Sequence, residues 1–109
     1  MSKLSKELFQ NWIHSFEEDS DGITVYRTSK YAFPPAHGRA GIGFEPDGTF
    51  IDWAIAPTDG TKAITGHWHI ERPGQVHISL EDKNRAPWIL EVLHVDSDML
   101  KVRRRQGDQ

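Results

Sequence analysis

The stretch that decides the fold of this chain is GHWHIERPGQVHISL, residues 66–80. On either side of its centre, apolar residues alternate with polar or small ones, which is the period of a half-buried β-strand. Arg72-Pro73-Gly74 separates the two runs, and proline and glycine favour the backbone conformations that reverse a chain tightly. The stretch therefore predicts two antiparallel strands joined by a short turn.

The same pattern extends outward in both directions from this hairpin. Aspartate, glycine and asparagine cluster at 19–22, 46–48, 58–60, 83–85 and 96–98, and β-branched and aromatic residues fill the runs between the clusters. These runs predict eight strands, at about 11–18, 22–28, 39–45, 49–56, 61–71, 75–82, 87–95 and 99–105. Helical spacing is confined to Leu4, Leu8 and Trp12, which predicts a short N-terminal helix.

Short connections between successive strands predict antiparallel neighbours, and eight such strands can close on themselves and remove exposed edges. We therefore expect an all-β, eight-stranded antiparallel up-and-down barrel, with a two-sheet sandwich as the alternative. If the strands alternate in direction, the turns at 19–22, 46–48, 72–74 and 96–98 share one end. The long connection 28–38 then lies at the other end, with the start of the first strand, and is expected to fold over the barrel mouth.

Length and composition limit the classes of function. A chain of 109 residues predicts one domain, 1–109, whose core depends on four Trp, five Phe and two Tyr. The absence of cysteine excludes disulfides, thiolate zinc sites and a cysteine nucleophile. No apolar run has the length of a signal peptide or a membrane span, so a cytoplasmic protein is expected. The net charge is −3 and the basic residues are scattered, apart from Arg103-Arg104-Arg105, so nucleic acid is not an expected partner.

Three segments resemble the lipocalin-like (calycin) group, in particular its small bacterial members. They are the opening strand around Trp12, the hairpin of residues 38–50, and Gly66-His67-Trp68, which is similar to the Gly-x-Trp strand of calycin barrels. The resemblance implies a barrel whose first-strand tryptophan closes the base, and an interior that holds a small apolar ligand.

Three histidines are predicted to share one outward face. Pairing across the turn at 72–74 places His69 near His77, with His67 two residues along the same strand. This arrangement suits a metal ion, a protein interface or simple solvation. Solvated histidines are the commoner case, and the sequence therefore predicts no metal site.

Other candidate residues are predicted to face the interior or its mouth. Alternation places His14 inward with Trp12, and His94 inward with Trp88. In that seventh strand the opposite face, Ile89, Leu93 and Val95, is equally apolar, so the alternative direction stays open. Arg39, together with Tyr26, Arg27 and His37, would form a polar cluster suited to an anionic or carbonyl end of a ligand. If a cavity exists, Trp53 and Trp68 would line it. The predicted ligand-binding residues are His14, Tyr26, Arg39, Trp53, Trp68 and His94. For each of them, a packed or hydrogen-bonded structural role is the alternative.

No motif for covalent catalysis, metal-dependent hydrolysis or phosphate binding occurs in the sequence. The leading interpretation is a protein that binds a small apolar ligand, without a cofactor and with no predicted catalytic residues. The alternative is a structural or protein-interaction module with a solid core, forming a homodimer through its histidine face. A third interpretation is an enzyme that uses His14, His94 and Arg39 for acid–base chemistry.

Overall fold

The computed structural model describes residues 6–36, 38–55, 61–82 and 85–106. Within them the chain forms eight strands, and each lies within about four residues of its predicted bounds. The strands are β1 (Asn11–His14), β2 (Thr24–Arg27), β3 (Gly41–Phe44), β4 (Thr49–Ile55), β5 (Thr61–Arg72), β6 (Gln75–Leu80), β7 (Trp88–Val95) and β8 (Met99–Gln106).

The eight strands form a closed barrel in which every neighbouring pair is antiparallel. This confirms the predicted all-β fold class. From β3 to β8 each strand pairs with the next along the chain, as the tight turns indicate. The barrel closes where β2 pairs with β8, for example at Val25 and Lys101. No sheet edge along this circuit is left without a partner strand.

The order of strands departs from the chain order at one place. Strand β1 lies between β2 and β3 and is antiparallel to both, so β2 and β3 run in the same direction. The predicted alternation of strand direction therefore breaks at the connection 28–40. As a result, the turn at 19–22 lies at the opposite end from the turns at 46–48, 73–74 and 96–98. The prediction that all four share one end is wrong.

The end with the turns at 46–48, 73–74 and 96–98 is called the closed end here. It is covered by a 3₁₀ turn, Lys6–Leu8, where the sequence predicts a helix; Leu4 lies outside the described residues. Leu8 and Trp12 are fully buried, and the Trp12 indole N–H donates to the Leu8 carbonyl oxygen at 3.1 Å. The first-strand tryptophan thus lies at the base of the barrel, as the family resemblance implies.

The opposite, open end carries a second 3₁₀ turn, Phe16–Glu18, which replaces the last part of the predicted first strand. The turn that follows reverses tightly because Asp21 and Gly22 both have positive φ, 51° and 79°. The last residues of β8 and the side chain of Arg85 also lie at this end. The part of the chain that the model describes contains no helix long and apolar enough to cross a membrane.

Alternation along the strands separates an apolar interior from a more polar surface. Cross-strand pairs such as Ile78 with Trp88, and Val92 with Val102, point to the same side and show which positions face inward. Most of the buried core lies toward the closed end and in the middle of the barrel. Its buried members are Leu8, Trp12, Ile42, Phe44, Phe50, Val76, Ile78, Leu80, Trp88, Leu90, Leu100 and Val102.

Candidate ligand-binding site

A cavity of about 400 Å³ lies inside the barrel at the open end. Its volume is in the range of about 300–1,000 Å³ that is typical of small-molecule sites. Fourteen residues from six strands and two connecting segments surround it. They are His14, Thr24, Tyr26, Ala40, Gly41, Ile42, Asp52, Ala54, Ile55, Arg85, Trp88, Leu90, Val102 and Arg104.

The polar part of this lining comes from inward positions on four strands. His14 and Tyr26 are a cross-strand pair of β1 and β2. Asp52 pairs with Ile42, and Arg104 pairs with Leu90. Each of these residues occupies the same side of its strand as the buried core residues below it. The apolar interior of the barrel therefore becomes polar toward the open end.

The two arginines of the cavity are held differently. Arg85 Nη2 lies 3.4 Å from Asp52 Oδ2, a long contact between partly buried groups. The Arg104 guanidinium lies 4.3 Å from the centre of the Trp88 ring, in a cation–π contact. Within the described residues, Arg104 makes no ion pair or hydrogen bond. The charged residues that line the cavity directly are thus two arginines and one aspartate, although the chain as a whole carries −3.

Tyr26 adds a neutral hydrogen-bonding group to the cavity wall. Burial, and then the negative charge of Asp52, raises the pKa of Tyr26 to about 12. Its hydroxyl therefore stays protonated at neutral pH and can donate. No described residue hydrogen-bonds to this hydroxyl, yet no described buried side-chain nitrogen or oxygen is left without a partner. The hydroxyl is consequently open to the cavity.

Of the six residues predicted to bind a ligand, the structure brings only His14 and Tyr26 to this cavity. Arg39 is instead held outside the barrel between the rings of Phe16 and Phe33, at 4.6 Å from each, and forms two hydrogen bonds with Glu17. The Glu17 carboxylate raises the pKa of Arg39 further above its usual range. Arg39 thus holds the long connection against the second 3₁₀ turn. This is the packed and hydrogen-bonded structural role, the predicted alternative to ligand binding.

The two predicted cavity tryptophans lie elsewhere. Trp53 faces outward, where its ring and Arg39 line a groove of about 220 Å³ on the surface of β1, β3 and β4. Trp68 faces inward but lies at the closed end, where its ring packs against Phe9 and Phe44 and its indole N–H donates to the Glu45 carbonyl. Neither ring lines the cavity at the open end.

The prediction that His94 faces inward is wrong. A bulge between Val92 and His94 shifts the register, so that His94 pairs with Lys101 and Val95 takes the inward position. His94 is about half exposed and hydrogen-bonds to Asp96 at 2.7 Å. The sequence gives no sign of this bulge, because Ile89, Leu93 and Val95 form an equally apolar opposite face.

The long connection does not cover the mouth as predicted. Tyr31 lies against Arg27 at 4.5 Å and Phe33 against Arg39, both on the outside of the barrel. None of the described residues 28–36 and 38–39 lines the cavity. His37, predicted to join Arg39, lies outside the described residues.

Sequence reasoning missed Asp52, Arg85 and Arg104. A signal for two of them was present: Asp52 alternates with Phe50 and Ala54, and Arg104 alternates with Leu100 and Val102. Charged residues at inward positions near a strand end are typical of a barrel mouth. Arg85 belongs to a connection, and only the folded chain shows that it reaches Asp52.

The predicted outward histidine face is confirmed. The rings of His69 and His77 stack at 4.7 Å between centroids, and His67 is exposed beside Glu81. Among the residues that the model describes, no group of three or more His, Cys, Asp or Glu is arranged to hold a metal ion.

Comparison with protein-family models, with curated proteins and with solved structures finds no match to this chain.

Proposed function

We propose that this chain is a lipocalin-like barrel that binds a small molecule in the cavity at its open end. The observation that carries the proposal is a pair of polar lining residues, Tyr26 and Arg104, that have no hydrogen-bond partner among the described residues. Tyr26 and Arg104 both present hydrogen-bond donors that no described residue accepts from. Polar groups placed around a cavity in this way fix the orientation of a ligand.

The lining supports a ligand with an apolar body and an anionic end. Trp88, Leu90 and Val102 supply an apolar wall deeper in the barrel. Arg104 and Arg85 supply positive charge nearer the solvent, and guanidinium groups bind carboxylates through paired hydrogen bonds. The sequence predicts an apolar ligand. The cavity favours an apolar ligand that also carries a carboxylate.

The proposal is tested by isothermal titration with 4-phenylbutyrate and with its neutral amide. We expect the carboxylate to bind roughly tenfold more tightly, which corresponds to about 1.4 kcal/mol. In NMR spectra, the indole signal of Trp88 should move more than those of the other three tryptophans.

Arg104→Gln should remove the preference for the carboxylate. The matched control is Arg103→Gln, because Arg103 is the next residue but lies on the outer face, with Nη1 3.6 Å from Glu91. Equal binding of both compounds would overturn the anionic part of the proposal. No binding of either, together with a discrete dimer mass, would favour the interaction module.

A further inference from the structure

The cavity wall contains a histidine whose ring is fixed by an aspartate. His14 Nε2 lies 2.8 Å from Asp19 Oδ2, and Asp19 Oδ1 accepts the Val25 backbone N–H, also at 2.8 Å. Both carboxylate oxygens are therefore in use. Because an ionised carboxylate only accepts hydrogen bonds, the proton of a neutral His14 ring is held on Nε2.

Two aromatic rings and one backbone hydrogen bond further restrict the position of His14. The rings of Phe16 and Tyr26 lie 6.0 and 5.5 Å from its ring, and Arg39 donates to the His14 carbonyl oxygen at 3.1 Å. Within the described residues, the second ring nitrogen, Nδ1, makes no hydrogen bond. An imidazole with one N–H held by a carboxylate and a free lone pair on the other nitrogen is an arrangement that general bases use, and in His14 the free nitrogen is Nδ1.

A second histidine–aspartate pair in the same chain shows what His14 has in addition. His94 Nε2 lies 2.7 Å from Asp96 Oδ2, and Asp96 Oδ1 accepts the backbone N–H groups of Asp98 and Met99. The chemistry of the two pairs is the same. His94, however, lies on the outer face at the closed end and lines neither the cavity nor the groove at Trp53, whereas His14 lines the cavity together with Tyr26.

We propose that His14 is a catalytic base that moves a proton on a 2-oxo acid bound in the cavity, with Asp19 as its positioning residue. This inference rests on the proposed binding function. A 2-oxo acid carries the carboxylate that Arg104 would hold, a carbonyl oxygen for the Tyr26 hydroxyl, and an apolar tail for the wall at Trp88. The reaction is reversible enolisation, in which the keto form loses a proton from carbon 3 to give the enolate and then regains one.

The step balances without a further reactant. His14 Nδ1 takes a proton from carbon 3, and the electron pair of that C–H bond forms the double bond between carbons 2 and 3. The carbonyl electron pair moves to oxygen, where the Tyr26 hydroxyl donates a hydrogen bond to the developing negative charge. Return of a proton from Nδ1 to carbon 3 restores the keto form and the neutral base.

The experiment measures exchange of the carbon-3 hydrogens of 2-oxo-4-phenylbutanoate for deuterium in D₂O by proton NMR, with binding measured separately by titration calorimetry. We expect the protein to accelerate exchange at least ~100-fold over buffer, the lower range for a positioned base. His14→Gln should reduce the rate to that of buffer while the compound still binds. The matched control His94→Gln should keep the rate of the unchanged protein.

Asp19→Asn tests the positioning role with a readout that loss of structure would not produce. If the amide oxygen stays on the Val25 N–H, the amide nitrogen faces Nε2, and the His14 proton must move to Nδ1. We expect ¹⁵N NMR to show that change of tautomer together with the loss of exchange.

Each outcome separates the two proposals. If the 2-oxo acid binds but does not exchange faster than in buffer, or if His14→Gln keeps the rate, the catalytic inference fails and the binding function stands. If 4-phenylbutyrate binds and the 2-oxo acid does not, the catalytic inference again fails alone. If neither compound binds, both proposals fail.

Discussion

The closed and open halves of the barrel interior are built from the same strands and differ in what their inward positions carry. On β8, Leu100 is fully buried toward the closed end, whereas Arg104 is exposed at the open end. On β4, buried Phe50 is followed by Asp52 on the same side. The alternation is unchanged along each strand. The comparison teaches that inward alternation specifies a side of the sheet, and that residue type decides whether that side is core or cavity.

The two halves should also differ in what holds them together. The closed half consists of aromatic and aliphatic contacts, such as the Phe44 and Phe50 rings at 5.2 Å. The second 3₁₀ turn at the open half is held by hydrogen-bonded ion pairs, Glu17 with Arg39 and Glu18 with Arg27. Apolar packing does not respond to pH, whereas carboxylate pairs do.

The largest effect is expected from truncating the closed half. Leu100→Ala removes a fully buried side chain and should lower the free energy of unfolding by about 2–5 kcal/mol, measured by urea denaturation. Leu93→Ala is the matched control, because the same change is made at a side chain that is 41% exposed. Equal losses in the two variants would contradict the packed closed half.

A smaller loss is expected where the two halves meet at Gly66, which pairs with Phe50 and Leu80. A Cβ at Gly66 would overlap the Ser79 carbonyl oxygen and lie 2.8 Å from Leu80 Cα. Gly66→Ala should therefore lower the free energy of unfolding by about 1–3 kcal/mol, measured by thermal denaturation. Gly38→Ala serves as the control, since its Cβ would lie 3.8 Å from Ile55, and an unchanged Gly66→Ala variant would argue against this close packing.

Acid should act on the open half. Glu18 accepts hydrogen bonds from Arg27, which lower its pKa from 4.5 to about 2. Because the folded pKa is below the unfolded one, the pair stabilises the fold fully above pH 4.5 and loses its effect as the pH falls toward 2. The free energy of unfolding of the Glu18→Gln variant should therefore fall by about 1 kcal/mol less between pH 7 and pH 2 than that of the unchanged protein, measured by denaturation at each pH.

The control for this experiment is Glu91→Gln, whose carboxylate lies 3.6 Å from Arg103 on the outer face. It should leave the acid profile unchanged. An unchanged profile in Glu18→Gln would mean that Arg27 does not hold the second 3₁₀ turn through this carboxylate.

The smallest effect on stability is expected at the cavity wall. The Tyr26 hydroxyl has no protein partner among the described residues, so Tyr26→Phe should change the free energy of unfolding by less than about 0.5 kcal/mol. The same variant should weaken binding of the 2-oxo acid, measured by calorimetry. A large loss of stability would show that the Tyr26 hydroxyl stabilises the fold and does not simply face the cavity.

The sequence by itself determined the barrel, because period-two alternation and turn residues are local properties. The hairpin of residues 66–80 folds as its pattern predicts, with Trp68 paired with Ile78 and His69 with His77. The same local rule correctly placed His14 inward. It also contained the inward positions of Asp52 and Arg104, which the interpretation did not use.

Only the tertiary structure decided which residues meet. The position of β1 between β2 and β3 depends on pairing between distant segments, and it separates the 19–22 turn from the other three. The bulge at Val92 and His94 turns one histidine outward, because one extra residue reverses every later side chain. His14 and His94 each have an aspartate close by in sequence, five and two residues along. Their environments differ because the bulge turns His94 to the outer face, whereas His14 keeps the inward position that lines the cavity.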